Sequence, residues 1–175
     1  NKFNKSSILN ILSSEAINYS YNTTSKWHVY APTPLISLNK LNEKLKRHNI
    51  FYKDESKRFH LKSFKALGGA YAVEKIIKGN NKKIISTATA GNHGRSVAWG
   101  SQKNGLECKI FISEFVSESR AEVMRSFGAD VIRVKGNYGD SLTECIEKSN
   151  KHKWQIFEDG AGEDSKLMRK LTKAG

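Results

Sequence analysis

A lysine at the expected start of a helix is the first residue whose position could support chemistry. Lys65 directly precedes a helix that the apolar spacing predicts from about residue 66 to residue 78. The helix dipole disfavours a cation at this end, and an apolar pocket made by Phe64 and Leu67 would favour the neutral amine. Such an amine suits imine formation with a carbonyl compound. The alternative is a solvated lysine at a frayed helix end.

A second motif, Gly91-Asn92-His93-Gly94, lies between an expected strand and an expected helix. Its glycines allow the backbone to turn sharply and approach a ligand, and the free amides at the helix start favour an anionic or phenolate oxygen. Asn92 can donate to such an oxygen through its side chain. The alternative is an ordinary turn in which a glycine supplies positive φ and Asn92 caps the helix. The glycine spacing also fits the RNA-clamping loop of KH domains, but that loop joins two helices.

The two motifs need a fold that brings them together, and the chain alternates strands with helices from residue 50 onwards. Expected strands lie at 50–53, 83–87, 108–112, 130–134 and 154–157, and expected helices lie at 66–78, 93–103, 117–127 and 138–152. This alternation predicts right-handed crossovers, and hence an α/β fold with an open parallel sheet and flanking helices. Ligands bind beyond the carboxyl ends of such strands, so chemistry is expected at the turns after Thr87 and Phe157.

The same pattern divides the chain into four segments. Residues 1–30 are predicted to form an N-terminal arm with a short amphipathic helix at 8–17. Residues 31–80 hold a proline connector, a helix, a short strand and the lysine helix. Residues 81–159 form the strand–helix–strand units, and residues 160–175 form a basic tail.

The composition argues against several other functions. Hydrophobic residues make up 38% of the chain, enough for a core, and no apolar run reaches the roughly 18 residues of a membrane span. The net charge of +13 comes from 23 lysines and 7 arginines in scattered positions, so nucleic-acid binding is not expected as the main function. Cys108 and Cys145 are expected to be buried thiols, and the spacing of the five histidines predicts no metal site. A cytoplasmic location is expected.

Three motifs in order resemble a known family. They are Ser63-Phe64-Lys65 with Gly68-Gly69-Ala70-Tyr71, then Ala90-Gly91-Asn92-His93-Gly94, and then residues 124–132. Together they resemble the fold-type II pyridoxal-phosphate enzymes of the tryptophan synthase β-subunit class. Within that class, residues 30–35, 53–59 and 91–99 most resemble diaminopropionate ammonia-lyases, and threonine and serine dehydratases come next. The resemblance covers about residues 28–159.

The resemblance implies roles for the matching residues. Lys65 would bind pyridoxal phosphate covalently and then act as the base on the substrate Cα. Phe64 would pack beside the cofactor ring, and Asn92 would donate a hydrogen bond to its phenolic oxygen. The remaining cofactor-binding residues would be Gly91, His93 and Gly94.

The implied reaction is α,β-elimination of ammonia from the amino acid 2,3-diaminopropionate, which gives pyruvate and ammonia. Asp159 would be a second catalytic residue, because it aligns with an acidic active-site residue; the alternative is a helix N-cap or turn aspartate. Ala90 departs from the pattern, since diaminopropionate ammonia-lyases carry aspartate there and serine racemases carry serine. A methyl group cannot move a proton, so handling of the D-isomer should be poor.

Two other functions stay open. A threonine- or serine-dehydratase-like lyase would keep Lys65 and Asn92 but expel water, and Ala90 favours it. An inactive remnant would act as a basic module that binds a protein or a polyanion. Members of the family are roughly twice as long, and their second half supplies the phosphate-binding loop. A chain without that second half would expose the surface that the second half normally covers. Exposed apolar surface favours self-association, so a homo-oligomer is expected.

Overall fold

Four parallel strands form the sheet that organises this chain, for which a computed structural model describes residues 13–46, 49–79 and 81–158. The helices are α1 (Ser14–Thr24), α2 (Asn39–Leu45), α3 (Lys65–Ile77), α4 (Asn92–Lys103), α5 (Glu118–Ser126) and α6 (Tyr138–His152). The strands are β1 (Leu35–Ser37), β2 (Phe51–Lys53), β3 (Ile84–Ala88), β4 (Glu107–Ser113), β5 (Ala129–Val134) and β6 (Gln155–Ile156). A 3₁₀ turn covers Arg58–His60.

The main sheet has the strand order β5-β4-β3-β6, and all its pairs are parallel. Ile85 is level with Cys108 on one neighbouring strand and with Gln155 on the other. The predicted α/β fold with an open parallel sheet and flanking helices is therefore confirmed. The helices lie on both faces, as a buried parallel sheet requires.

The short strand predicted at 50–53 does not join this sheet. Instead β2 pairs antiparallel with β1, so that Tyr52 is level with Ile36. A run of β-branched and aromatic residues was enough to predict a strand, but the partner of a strand depends on its tertiary surroundings. The proline connector, which the sequence places at the start of the segment 31–80, thus leads into strand β1 at Leu35.

The expected helix at 8–17 lies mainly outside the described residues. The helix that the structure describes there is α1, which begins at Ser14. Ser13 is its N-cap, because the Ser13 hydroxyl accepts a hydrogen bond of 3.1 Å from the Ala16 amide. Further along, Trp27 is buried in a cluster with Phe59 and Tyr71.

Alternating side chains of β4 fill the cores on the two faces of the sheet. Ile110 and Ile112 are buried with residues of α4 and α5, such as Val97 and Met124. Phe111, between them in sequence, is buried on the opposite face with Cys145 of α6. The two cysteines are free and buried, as predicted, and burial raises the pKa of Cys108 to about 12 and that of Cys145 to about 11. None of the described helices combines the length and apolar character that a membrane span needs.

Helix α3 packs against α4 at a distance that requires glycine. A Cβ atom added to Gly100 would lie 2.8 Å from the Ala70 Cα of α3, and one added to Gly69 would overlap the Ser96 Oγ. The contact at Gly100 is with backbone, which cannot rotate away. This close approach fixes the start of α3 relative to the start of α4.

We therefore expect Gly100→Ala to destabilise the fold, although alanine is normally the better helix former by about 1 kcal/mol. Overpacking against the α3 backbone should lower the free energy of unfolding by about 1–3 kcal/mol. Urea denaturation followed by circular dichroism measures it. Gly79→Ala is the matched control, because a Cβ there would make only an ordinary contact of 3.6 Å with the Ile76 carbonyl. Equal or greater stability of the Gly100→Ala variant would contradict the packing argument.

Candidate active site

The strand order of the sheet reverses beside β3. The chain proceeds from β3 to β4 and β5 on one side, and then returns to place β6 on the other side of β3. A crevice at the carboxyl ends of strands at such a reversal is the usual ligand site of an open α/β sheet. The two turns singled out in the sequence follow β3 and β6, so both lie at this crevice.

Hydrogen bonds join the residue that follows β6 to β3 and to the start of α4. The Phe157 amide donates to the Ser86 carbonyl at 2.7 Å, and His93 Nε2 lies 3.5 Å from the Phe157 carbonyl oxygen. His93 is 4% exposed, so its ring lies inside the fold. Its position indicates that it orients the turn after β3 against the end of β6.

The turn after β3 leads into the N-terminus of α4 without a side-chain cap. Gly91 is the N-cap residue and has an extended backbone with φ of −176°, and Asn92 is the first helical residue with an exposed side chain. Two parts of the ordinary-turn alternative are therefore wrong, since Gly91 does not have positive φ and Asn92 does not cap the helix. The first amides of a helix have no intrahelical acceptor, and here they stand beside an amide side chain.

The two glycines of this turn do different things. A Cβ atom on Gly91 would meet no atom within 4 Å, so the space beside it is open to a ligand. A Cβ atom on Gly94 would lie 2.6 Å from Thr89 Cγ2 and 3.0 Å from Met124 Sδ. Gly94 is thus needed for packing against α5, whereas Gly91 borders open space.

Lys65 is the first residue of α3 and stands beside the first turns of α4. Its carbonyl oxygen accepts a hydrogen bond of 2.6 Å from the Ser96 hydroxyl, and Ser96 lies four residues after Asn92 on α4. The Lys65 amide donates to the Ser63 hydroxyl at 3.2 Å. The side chain of Lys65 is half-buried. The structure therefore brings the two predicted motifs to one place.

The apolar pocket predicted around the lysine is not formed by Phe64. That side chain is 66% exposed, although its residue directly precedes α3, while Leu67 is half-buried against the core. Phe64 is the N-cap residue of α3, and its side chain makes no capping hydrogen bond. Asp159, the other predicted catalytic residue, lies outside the described residues.

Sequence reasoning missed Ser96 as part of the site. Its hydroxyl forms the bond that joins α4 to the first residue of α3, and it is almost fully buried. Nothing in the local sequence shows this bond, because it depends on two helices that are about 30 residues apart in the chain. The signal that could have found it is its place within the motif at 91–99.

Comparison with known proteins gives the family. Residues 27–165 match the family described as pyridoxal-phosphate dependent enzymes. The chain belongs to this family. Both the resemblance and the cofactor predicted from the sequence are thereby confirmed.

Individual relatives and solved structures show which members of the family this chain is similar to. Diaminopropionate ammonia-lyase of Escherichia coli K12 is 33% identical over 152 residues, covering 77% of this chain and 38% of that protein. The biosynthetic L-threonine dehydratase of Haemophilus influenzae is 32% identical over 118 residues, covering 67% of this chain and 22% of that protein. A crystal structure of the Escherichia coli ammonia-lyase with an aminoacrylate-PLP azomethine reaction intermediate has a TM-score of 0.86 at 30% identity, covering 94% of this chain and 46% of that chain. The chain thus spans less than half the length of these relatives.

The residues at the crevice fit one end of pyridoxal phosphate. The cofactor carries an aldehyde, which a lysine amine can bind, next to a phenolic oxygen, which an amide can donate to. Lys65 and Asn92 supply these two groups, and the open space at Gly91 leaves room beside them. This donor set matches the aldehyde side of the ring.

Proposed function

We propose that this chain supplies the lysine-bearing part of a pyridoxal-phosphate-dependent lyase that eliminates ammonia from 2,3-diaminopropionate, giving pyruvate and ammonia. One observation carries the proposal. The Ser96 hydroxyl donates a hydrogen bond of 2.6 Å to the Lys65 carbonyl and so holds the backbone of the amine-bearing residue beside the first turns of α4. The Escherichia coli ammonia-lyase supports the choice of substrate, because its identity and coverage are the higher of the two relatives compared.

The proposed mechanism assigns each step to a residue of this chain. When bound, pyridoxal phosphate supplies the electron sink that makes the substrate Cα proton acidic. Lys65 Nζ would bind the cofactor aldehyde, and the Asn92 amide would donate to the phenolic oxygen. Once the substrate amino group has displaced Lys65 from that aldehyde, the freed Nζ would accept the Cα proton. The first amides of α4 add positive potential beside that oxygen. The β-amino group would then take up a proton and leave as ammonia, which completes the α,β-elimination. Water would hydrolyse the resulting enamine to pyruvate and a second ammonia.

Ala90 supports a preference for one enantiomer. It is exposed at the turn after β3, and its side chain has no group that can carry a proton. With Lys65 as the one proposed base, protons are removed from one face of the substrate. We propose that the L-isomer is the substrate, and that Asp159 assists at the leaving group.

A threonine- or serine-dehydratase activity is the second candidate. The likeness to L-threonine dehydratase supports it, and Ala90 is compatible with it because neither reaction at an L-amino acid needs a second base. The two candidates differ only in the leaving group, which is ammonia in one and water in the other.

The exposed apolar residues support self-association of the chain. Leu35, Phe51 and Tyr52 of the β1–β2 pair are each more than half exposed. A two-stranded sheet with no covered face is not stable alone. We propose that a homo-oligomer, or the part of the family fold that this chain does not span, covers this pair.

The decisive test is an assay in a chimera, because the chain spans less than half of its relatives. Residues 27–158 would replace the matching segment of the Escherichia coli ammonia-lyase, and pyruvate, 2-oxobutanoate and ammonia would be measured. We expect pyruvate and ammonia from L-2,3-diaminopropionate, with little turnover of its D-isomer. Faster turnover of threonine or serine would select the dehydratase function. A chimera that folds and binds the cofactor but turns over none of these substrates would contradict both.

A further inference from the structure

A cavity of about 350 Å³ lies beside α4, between the segment that follows the 3₁₀ turn and helix α5. Its volume is within the range of small-molecule sites. We call it the basic cavity, and it is lined by His60, Leu61, Lys62, Arg95, Val123 and Phe127. None of these residues has a part in the proposed cofactor site.

The polar lining of the basic cavity is entirely basic. His60, Lys62 and Arg95 contribute to it, and the described lining contains no carboxylate. The Arg95 Nε atom is buried and has no hydrogen-bond partner among the described residues. A guanidinium N–H without an acceptor is costly, and an anion in this cavity would supply a charge partner to the half-buried Arg95 guanidinium.

The backbone of the lining segment is strained. Phe59, His60 and Lys62 have φ angles of +46°, +61° and +57°, in the left-handed region that residues other than glycine rarely adopt. Leu61 is 3% exposed and anchors the segment in the core. Strained residues of this kind persist where the surroundings hold them, and they cluster at ligand sites.

The rest of the lining is apolar. Leu61 lines one side, and Val123 of α5 and Phe127, the residue that follows α5, line the other. An anion that fills this space would place its charge near Arg95 and an apolar body against α5. A second cavity, of about 500 Å³ beside α6, makes a useful contrast, because three carboxylates there accompany its two lysines.

We propose that the basic cavity binds a small organic carboxylate with an apolar body, with Arg95 as its main charged contact. This site is separate from the proposed lyase function and does not depend on it. The guanidinium fork can donate two parallel hydrogen bonds to a carboxylate. Lys62, whose side chain is exposed, adds a weaker attraction at the entrance.

Ligand-observed NMR titration of the full chain without pyridoxal phosphate tests this site, with benzoate as the probe. Benzamide, which has the same shape without the charge, and inorganic phosphate, which has the charge without the apolar body, are the comparison ligands. We expect saturable benzoate binding that Arg95→Gln weakens about tenfold or more, and weaker binding of both other ligands. Lys62→Gln should give a smaller loss.

Arg120→Gln is the matched control, since Arg120 is an exposed arginine of α5 that does not line the cavity. Its affinity for benzoate should stay within about twofold of that of the unchanged chain. Circular dichroism checks that each variant is folded, and Lys62→Gln keeps the test informative if Arg95→Gln is not. Unchanged benzoate binding in both cavity variants, or no saturable benzoate binding, would overturn the site. Benzamide or phosphate binding as tightly as benzoate would overturn the assigned ligand class.

Discussion

Replacing Lys65 by alanine is expected to abolish covalent attachment of pyridoxal phosphate and to leave the fold intact. The amine at the start of α3 is the proposed nucleophile, and no neighbouring atom of α3 can take its place. Alanine is a good helix former, and Lys65 makes its hydrogen bonds to Ser63 and Ser96 through the backbone, so the helix should still form. The visible absorbance band of the bound cofactor should therefore fall to background.

Borohydride reduction followed by peptide mass spectrometry locates the attachment. In the unchanged chain the reduced cofactor should be found on Lys65, and in Lys65→Ala the corresponding peptide should be unmodified. Lys62→Ala is the control, because Lys62 lies three residues earlier with an exposed side chain and is not a proposed cofactor contact. Equal labelling of the chain and of Lys65→Ala would show attachment elsewhere, and would contradict the proposed site.

Local patterns predicted the two helices that carry the site almost to the residue. The expected helix at 66–78 is observed at Lys65–Ile77, and the one at 93–103 is observed at Asn92–Lys103. Apolar spacing and terminal glycines are local signals, so they can be interpreted without knowledge of the tertiary fold. The crevice could be predicted as well, because alternating strands and helices fix where the strands end.

The contacts that refine the site could not be predicted in this way. The bond from Ser96 to Lys65 and the approach of Gly100 to Ala70 join different helices. The exposure of the Phe64 ring depends on what packs around the start of α3. The basic cavity depends on left-handed backbone at residues 59, 60 and 62, none of which is the glycine that usually signals it.

A buried arginine, Arg58, fixes the proline connector. Arg58 is 5% exposed, and it donates to Glu55 at 2.7 Å through Nε, to the Ala31 carbonyl at 3.0 Å and to the Thr33 hydroxyl at 2.9 Å. The connector between Ala31 and Thr33 contains Pro32, which has no amide hydrogen of its own to donate. The guanidinium thus holds residues 31–33 against residues 55–58.

We expect Arg58→Met to lower the free energy of unfolding by about 3–5 kcal/mol, because it leaves the mostly buried Glu55 carboxylate without its partner. Urea denaturation at pH 7 measures this loss. Arg125→Met is the matched control, since Arg125 pairs with Glu118 on the surface, where the two side chains are 42% and 55% exposed. Loss of that exposed pair should cost no more than about 1 kcal/mol. A similar small loss in Arg58→Met would contradict the structural role of the buried pair.

The same pair gives a pH dependence of known sign. Hydrogen bonds from Arg58 hold the pKa of the Glu55 carboxyl below its ordinary value of 4.5. Because the folded-state pKa is the lower one, the stabilisation is complete above the ordinary value and is lost as the pH falls through the folded-state value. In Arg58→Met the unpaired carboxylate is destabilising, and protonation relieves it. The difference in unfolding free energy between the two proteins should therefore shrink as the pH is lowered from 7 to about 3, and a constant difference would show that Glu55 is not the group involved.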